Sequence, residues 1–451
     1  MSLVIALRTG RVAHSNSSSL VAPAGSVIQA RGYAAPVKAA KKVSSKFRPN
    51  AGKENDKKNR GGRDPGLFRP MPPNALTHPV FQSEYRSELK LPVYRPETLT
   101  SSAAAKALAF PRDDSRALKA FGLPTNILVD YLLLSTPCSV VRQVTVDVLD
   151  QLDKAAQSSS QNTRLVFTGQ PGCGKSYLML QAVQYAIQKE WLTLYIPRGI
   201  NLVNSSTPYA YDARTQTYGQ PAYAQQLLKR FADVNAALLQ SLTVQSSYPF
   251  DEREVQNGAP IMDLINVGVE FQHQAPTVLN ALFDELAKQT KYPVLLAVDD
   301  FQALYCMSQY RDPFYRAIKA YHLMLPRALL EFASGKRKFA RGAFLGALSS
   351  QNTTFRAPLE LIESLGLPPN GPTNPYVPRQ PELIEYAKGL KNFVVPERLT
   401  VDEAASIFEL WQQSKALHFP RGDELFLSKY TEASGNAREF VEKGLLQTVA
   451  M

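Results

Sequence analysis

The chain has few cysteines and histidines for its length of 451 residues. Its three cysteines, Cys138, Cys173 and Cys306, are odd in number and far apart, which argues against a disulfide framework and favours a reducing compartment. None of the five histidines is spaced from a cysteine or another histidine as zinc ligands are, so we predict no zinc site.

The chain also lacks a long apolar run. No uninterrupted hydrophobic stretch reaches the roughly 18 residues that a membrane helix needs, and the longest candidates, such as residues 292–298, have the length of a strand. We therefore predict no membrane span. A chain of 451 residues that is 44% hydrophobic instead indicates one large α/β domain with appendages.

Acidic residues are absent from the start of the chain, where the first is Glu54. Nine lysines and arginines and a cluster of serines precede it. A basic, serine-rich N-terminus without acids is typical of a mitochondrial transit peptide, which predicts a mature protein in the mitochondrial matrix. The sequence from Arg31 to Ala34 resembles a matrix-processing site with cleavage after Tyr33, so we assign residues 1–33 to the transit peptide; a disordered basic tail is the alternative.

Residues 34–120 form a basic and proline-rich extension. Loss of residues 1–33 would remove three arginines and no acids, lowering the formal charge from +12 to +9. Much of the remaining charge lies in residues 38–63, an arm that suits RNA because neutralised phosphates release counterions, although a solvated tail has the same composition. Seven prolines between residues 65 and 96 interrupt regular structure and indicate an extended strap or a linker.

Beyond this extension, the pattern changes to alternating strands and helices. Continuous apolar strands between helices indicate a parallel sheet that is covered on both faces. The predicted strands are residues 165–167, 192–196, 294–298 and 343–348, and the predicted helices are residues 127–134, 140–149, 176–188, 221–242, 401–411 and 436–446.

One motif indicates a specific chemistry. The sequence G-Q-P-G-C-G-K-S fits the pattern G-x-x-x-x-G-K-[ST], with a predicted strand before it and a predicted helix after it. The glycines let backbone N–H groups surround phosphates, and the helix N-terminus adds positive charge. In this motif, Lys175 reaches the β- and γ-phosphates and the Ser176 hydroxyl binds Mg²⁺. The predicted nucleotide contacts here are Gly169, Gln170, Pro171, Gly172, Cys173, Gly174, Lys175, Ser176 and Tyr177.

A second motif ends the strand L-L-A-V with Asp299 and Asp300. This is a Walker B pattern, in which Asp299 would help to hold Mg²⁺. Asp300 has the position of the carboxylate that orients the attacking water in many P-loop ATPases, and we predict it as the catalytic residue. Because aspartate is shorter than the usual glutamate, we expect hydrolysis to be slow or absent. An acidic turn at a strand end is the alternative.

Three further signals are less specific. Ser349 and Ser350 end a predicted strand, where related ATPases have a polar sensor of the γ-phosphate; an ordinary strand end is equally consistent. The sequence from Gly435 to Arg438 resembles a lid motif whose arginine contacts phosphates, so Arg438 joins the predicted nucleotide contacts, with a surface helix as the alternative. The basic residues within 336–341 suit either RNA phosphates or a solvated loop.

These motifs predict an α/β fold of the P-loop NTPase (AAA-like) type. It has a parallel sheet with helices on both faces, an extended N-terminal arm and a small helical lid. We assign residues 121–379 to the nucleotide-binding domain and residues 380–451 to the lid. The guanine-reading motif N-K-x-D is absent from the chain, so the residues themselves do not distinguish GTP from ATP.

The order of several segments resembles the death-associated protein 3 family. These segments are Phe121-Gly122-Leu123-Pro124, Val141-Arg142, the motif at residues 169–176, Tyr195-Ile196-Pro197, Leu202-Val203-Asn204, residues 227–235, Asp299-Asp300 and Gly435-Asn436. The resemblance implies a protein in the head of the mitochondrial small ribosomal subunit, near the large subunit, with bound GTP or GDP. It implies ribosomal RNA and small-subunit proteins as partners, and a role in apoptosis for animal members.

Two functional hypotheses follow. In the first, the protein is a nucleotide-stabilised structural constituent of the mitochondrial small ribosomal subunit, which agrees with the N-terminus, the basic arm and the resemblance. In the second, it is a free mitochondrial AAA-like ATPase that remodels a partner, with Asp300, Ser349 and Arg438 in its active site.

Overall fold

The computed structural model describes residues 89–111, 115–134, 136–251, 253–369, 376–414 and 422–446. The predicted transit peptide, the basic arm and most of the proline-rich strap lie outside these ranges. The strands are β1 (Ala107–Ala109), β2 (Cys138–Val140), β3 (Arg164–Thr168), β4 (Leu192–Ile196), β5 (Ala210–Asp212), β6 (Thr217–Gly219), β7 (Tyr248–Pro249), β8 (Glu254–Val255), β9 (Val294–Val298), β10 (Met307–Arg311), β11 (Ala317–Lys319), β12 (Gly342–Ala347) and β13 (Lys391–Val394).

Helices account for much of the remaining described chain. The α-helices are α1 (Ser115–Phe121), α2 (Thr125–Leu134), α3 (Gln143–Ala155), α4 (Lys175–Gln188), α5 (Pro221–Leu239), α6 (Ile261–Glu270), α7 (Ala275–Lys288), α8 (Met324–Ser334), α9 (Leu359–Ser364), α10 (Pro381–Ala387), α11 (Val401–Gln413), α12 (Asp423–Glu432) and α13 (Ala437–Glu439), which a π-helix, Phe440–Leu445, follows. Short 3₁₀ turns include Phe301–Tyr305, directly after β9.

A five-stranded parallel sheet of order β13-β3-β12-β9-β4 forms the main core. Every residue of β3, β4, β9 and β12 is buried, so both faces of these strands are covered. Because the strands are parallel, their carboxyl ends lie along one edge of the sheet. The segments that follow β3, β12 and β9 therefore begin side by side at that edge.

The mixed α/β architecture with a parallel sheet is as predicted, and all four predicted strands are confirmed to within one residue at each end. The helix predicted over residues 221–242 begins at Pro221, whose missing N–H is tolerated in the first turn, and it ends three residues early at Leu239.

Two predicted helices differ from the structure. The helix predicted over residues 140–149 is wrong at its start, because Cys138–Val140 is a strand paired antiparallel with β1 and the helix begins at Gln143. Short runs of β-branched residues fit a strand and a buried helix equally well, which explains the error. The helix predicted over residues 436–446 is one α-helical turn followed by the π-helix.

The C-terminal part of the chain contributes to both the sheet and a separate cluster. Within residues 380–451, which we predicted as a helical lid, β13 pairs with β3 at one edge of the main sheet. The helices beyond it pack around a second hydrophobic cluster that includes Phe408, Trp411 and Phe440, together with Leu134 of α2. Across the described ranges, every helix is too short or too polar to cross a membrane.

Candidate functional site

The glycine loop (residues 169–174) connects β3 to α4. Gly169 and Gly172 have φ angles of +134° and +84°, which glycine adopts without the steric cost that a side chain would impose. A Cβ on Gly169 would lie 2.9 Å from the carbonyl oxygen of Val395, and a Cβ on Gly172 would lie 2.8 Å from the Cβ of Arg438. The glycines therefore permit both the turn of the loop and the close approach of the C-terminal part.

The N-terminus of α4 faces this loop without a side-chain cap. Gly174 is the N-cap residue, and the first backbone bond of the helix runs from the N–H of Leu178 to its carbonyl, at 3.0 Å. The N–H groups of the first helical turn have no partner inside the helix, and the helix dipole makes this end positive. The loop and the helix start together provide backbone donors that suit a phosphate.

Lys175, the first residue of α4, is buried against the loop. Its ammonium group donates to the carbonyl oxygens of Gly169 at 2.9 Å and Gln170 at 2.8 Å. The side chain thus holds the loop in its turn and keeps a positive charge beside the start of the helix.

Ser176 and Asp299 lie together, although 123 positions separate them in the sequence. The Asp299 carboxylate accepts from the N–H of Asp300 at 2.8 Å, and the Ser176 hydroxyl lies close enough to lower the pKa of Asp299 by hydrogen bonding. Burial, and then the neighbouring Asp300, raise the pKa of Asp299, while Ser176 and Lys175 oppose the rise. Mg²⁺ prefers oxygen ligands such as hydroxyls and carboxylates. Because Ser176 and Asp299 place one of each side by side, these two residues fit the predicted metal.

Asp300 occupies an unusual backbone conformation at the end of β9. Its φ of +54° is in the left-handed region, where aspartate is tolerated better than most side chains. Burial raises the pKa of its carboxyl, and hydrogen bonding from the nearby hydroxyl of Ser349, which follows β12, opposes the rise. The two predicted residues therefore meet, because the strands that carry them are neighbours in the sheet.

The C-terminal part contacts the glycine loop directly. The Asn436 amide donates to the carbonyl of Pro171 at 2.9 Å, and the N–H of Arg438 donates to the carbonyl of Gly172 at 3.0 Å. The Arg438 guanidinium lies against the side-chain amide of Gln351 and pairs with Glu442 at 3.4 Å. The sequence motif around residue 436 thus lies on the loop although it is far away in the sequence.

Arg142 is a site residue that we did not predict. Its guanidinium donates to the carbonyl of Cys173 at 2.9 Å, to the carbonyl of Arg398 at 3.0 Å and to the carboxylate of Glu403 at 3.1 Å. Glu403 in turn closes the capping box at the start of α11, where it accepts from the N–H of Thr400 at 3.0 Å. Arg142 therefore joins the glycine loop to the C-terminal part.

Tyr177, the last predicted nucleotide contact of the motif, has its own partner in α2. Its hydroxyl donates to Asp130 at 2.7 Å, and its ring packs against Tyr131 at a centroid distance of 6.5 Å. Burial raises the pKa of Asp130 to about 7, with Glu442 adding to the rise and the bond from Tyr177 opposing it.

The basic residues at 336–341 serve mainly internal contacts. Arg337 pairs with Asp284 at 2.7 Å and lies over the Phe332 ring at 4.9 Å, while Arg341 donates to the Ala156 carbonyl at 2.8 Å. These two arginines are tied to the fold, so they do not belong to the freely solvated loop that the sequence also allowed. In the ranges that the structure covers, no group of three histidine, cysteine or acidic side chains is arranged to hold a metal ion.

Comparisons with known proteins identify a family and several relatives whose similarity covers most of this chain. The family model for mitochondrial ribosomal death-associated protein 3 matches residues 139–443. The small ribosomal subunit protein mS29 of Neurospora crassa is 29% identical over 364 residues, which cover 77% of this chain and 76% of that protein. The proteins of the same name from Schizosaccharomyces pombe and Mus musculus are 22% and 23% identical, covering 76% and 64% of this chain and 71% and 76% of their own lengths.

The family match spans the site as well as the core. It extends from β2, ahead of Arg142, through the glycine loop and Asp299 to the π-helix, and so includes more than half of the chain. On this extent of similarity, the chain belongs to the mitochondrial ribosomal death-associated protein 3 family.

Proposed function

We propose that this protein is a structural constituent of the mitochondrial small ribosomal subunit that binds a purine nucleotide and supports mitochondrial translation. Its relatives in two fungi and a mammal are named as small ribosomal subunit proteins, which supports a location in the mitochondrial ribosome. Ribosomal RNA and neighbouring small-subunit proteins are then its partners. Residues 1–33 direct import and are removed, and the basic residues 38–63 contact RNA.

The proposed nucleotide site is the carboxyl edge of the sheet, in a P-loop NTPase fold of AAA-like type. The observation that carries this proposal is the convergence of Lys175, Ser176 and Asp299 beside the uncapped N-terminus of α4. Backbone N–H groups of the glycine loop and of α4 bind the phosphates, and Lys175 neutralises their charge. Ser176 and Asp299 hold Mg²⁺, which shields the phosphate charge when bound.

The domain arrangement suits a bound nucleotide that stabilises the fold. Residues 121–379 form the nucleotide-binding domain, and residues 380–451 form a C-terminal part that closes on the phosphates. Asn436 and Arg438 already contact the glycine loop, so a nucleotide there would touch both parts. A ligand that binds only the folded state stabilises it by about 2.7 kcal/mol at a hundred times its dissociation constant.

Slow or absent hydrolysis forms part of the proposal. Asp300 is the candidate base, but aspartate is shorter than the glutamate usual at this position; burial of its carboxyl raises its pKa, and the hydroxyl of Ser349 opposes the rise. The competing hypothesis is a free ATPase, for which the meeting of Asp300 and Ser349 is the favourable observation. Phosphate release by the purified protein, with and without RNA, separates the two: sustained turnover abolished by Lys175→Ala favours the ATPase.

Guanine nucleotide is the proposed ligand, because the family resemblance implies it. Isothermal titration of the purified chain with GTP, GDP and ATP in Mg²⁺ tests both the site and the base. We expect GTP and GDP to bind more tightly than ATP, and Lys175→Ala to abolish binding. Equal affinity for ATP would refute the guanine preference, and no binding of any nucleotide would refute the site.

Membership of the subunit is tested by sedimentation of a mitochondrial lysate through a sucrose gradient. The protein should co-sediment with the small ribosomal subunit and should stay with it when the two subunits are separated by removal of Mg²⁺. A protein found only at the top of the gradient would contradict the structural role and favour the free ATPase.

A further inference from the structure

Two β-hairpins form one surface at the carboxyl edge of the main sheet. The β5–β6 hairpin belongs to the segment that follows β4, and the β10–β11 hairpin follows β9, the strand next to β4. Tyr209 joins them, because its ring lies 4.9 Å from that of Tyr310 and its hydroxyl donates to the carbonyl of Arg311. We call residues 209–219 and 307–319 the hairpin surface.

Three large aromatic rings project from this surface. Tyr211 is 57% exposed, Phe314 is 79% exposed and Tyr315 is 86% exposed. Tyr211 rests on Tyr218 at a centroid distance of 5.1 Å, whereas Phe314 and Tyr315 stand at the tip of the second hairpin. Exposed apolar groups clustered in this way mark an interaction site more often than single exposed side chains do.

The tip of the second hairpin is built to hold its two rings outward. The Asp312 carboxylate accepts from the N–H of Phe314 at 2.9 Å and from the N–H of Arg316 at 2.7 Å. Tyr315 has a φ of +62°, a conformation that is rare for a bulky residue and that glycine or asparagine adopts more readily. Strained residues of this kind cluster at binding sites.

Exposed arginines without an ion-pair partner among the described residues surround the rings. Arg214, Arg311 and Arg316 are exposed and form no ion pair with a carboxylate in the ranges that the structure describes. The two nearby acids are engaged by their own turns: Asp212 accepts from the N–H of Arg214 at 2.9 Å, and Asp312 closes the tip. The Arg316 guanidinium lies 5.9 Å from the centre of the Phe314 ring, so charge and aromatic faces alternate.

We propose that the hairpin surface binds single-stranded RNA. Tyr211, Phe314 and Tyr315 stack on bases, while Arg311 and Arg316 contact phosphates. Aromatic platforms flanked by arginines are how proteins bind unpaired RNA, and a polyanion complements a surface on which Arg214, Arg311 and Arg316 outnumber Asp212 and Asp312. That the RNA is ribosomal rests on the proposed function. The ability of the surface to bind single-stranded RNA rests only on its exposed rings and arginines.

The test measures binding of a short oligouridine to the purified full chain by fluorescence anisotropy. The variant carries Phe314→Ser and Tyr315→Asn, because asparagine tolerates the left-handed conformation and the tip should still fold. We expect its affinity to fall at least about ten-fold, since each lost base stack weakens binding several-fold or more. Arg311→Gln and Arg316→Gln should each flatten the dependence of log affinity on log salt by about 0.7.

Matched controls separate this surface from the rest of the chain. Arg253→Gln removes an exposed arginine from the β7–β8 hairpin, and Tyr376→Asn removes an exposed ring elsewhere; both should bind RNA like the wild type. An abasic oligonucleotide of equal charge reports binding without stacking, including binding through the basic N-terminal arm. The wild type should prefer the oligonucleotide with bases, and the tip variant should lose that preference.

Three results would overturn the proposal: no RNA binding by the wild type, an unchanged affinity of the tip variant, or an unchanged preference for bases. A tip variant that binds RNA normally but no longer sediments with the small subunit would identify the surface as a protein interface instead. Wild-type protein that binds RNA through the tip but never sediments with the subunit would contradict the ribosomal role and leave the RNA surface standing.

Discussion

Lys175 contributes to the site through its charge and to the fold through its hydrogen bonds. In the proposed nucleotide complex, its ammonium group lies beside the phosphates while it holds the carbonyls of Gly169 and Gln170. We predict that Lys175→Ala abolishes the rise in melting temperature that GTP and Mg²⁺ produce in the wild type. Differential scanning fluorimetry with and without nucleotide measures this, and saturating ligand should stabilise the wild type by about 2–3 kcal/mol.

The control for this variant is Lys189→Ala, at the other end of the same helix. Lys189 is exposed and only 4.0 Å from Asp153, a surface pair that contributes little to stability. This variant should keep the full nucleotide effect. If Lys175→Ala also kept it, nucleotide binding at the glycine loop would be refuted.

The raised pKa of Asp130 predicts that the stability of the protein depends on pH. Burial raises the pKa of its carboxyl to about 7, whereas in the unfolded chain it titrates near 4. The folded protein therefore binds a proton that the unfolded chain releases, so this group's contribution is greatest below about pH 4 and is lost as pH rises towards 7. Without nucleotide, the melting temperature should therefore fall between about pH 4 and about pH 7.

Asp130→Asn isolates this contribution. Asparagine stays neutral and can still accept the bond from Tyr177, so the variant should lose less stability than the wild type over the same pH range. The difference in melting temperature should reach at least about 2 °C at the alkaline end. Parallel pH profiles for the two proteins would show that Asp130 is ionised in the folded protein.

At the residue scale, the sequence identifies the parts of the site that belong to a local motif. The residues from Gly169 to Ser176 are recognisable because their spacing alone specifies a phosphate-binding turn. Arg142 has no such signal, because its partners Cys173, Arg398 and Glu403 are between 31 and 261 positions away. Only the folded chain shows what its guanidinium joins.

At the scale of the elements, burial decides which strands can be predicted. The strands β3, β4, β9 and β12 are covered on both faces, so their sequences are continuously apolar. The edge strand β13 begins with Lys391 and Asn392 and is largely exposed, which leaves no apolar pattern to recognise. Its pairing with β3 is set by the tertiary fold.

The link between the glycine loop and α11 depends on one arginine. Arg142 and Glu403 are both mostly buried, so loss of the arginine would leave an unpaired carboxylate at the start of the helix. We predict that Arg142→Gln lowers the free energy of unfolding by roughly 3–5 kcal/mol and weakens nucleotide binding. Urea unfolding and nucleotide titration measure the two effects.

Arg327→Gln serves as the control for this prediction. Arg327 pairs with Glu331 at 3.4 Å on the exposed side of α8, where an ion pair contributes about 0–1 kcal/mol. The Arg327→Gln variant should therefore keep nearly the stability and the nucleotide affinity of the wild type. An Arg142→Gln protein as stable as this control would argue against the link between loop and C-terminal part.

For the whole molecule, the glycine loop lies where two hydrophobic clusters approach each other. The main cluster surrounds the parallel sheet, and the second lies under the C-terminal helices around Trp411 and Phe440. Arg142, Asn436 and Arg438 bridge them at the loop. A nucleotide bound there would add contacts to both, which explains how it could stabilise a ribosomal protein without being hydrolysed.

We infer that a nucleotide is part of the ribosomal particle. The direct measurement is to purify mitochondrial small subunits that contain this protein, denature them, and identify and quantify the released nucleotide. We predict about one guanine nucleotide per subunit from the wild type, in line with a single phosphate-binding loop, and none from subunits that carry Lys175→Ala. Wild-type subunits that contain the protein but release no nucleotide would contradict the account.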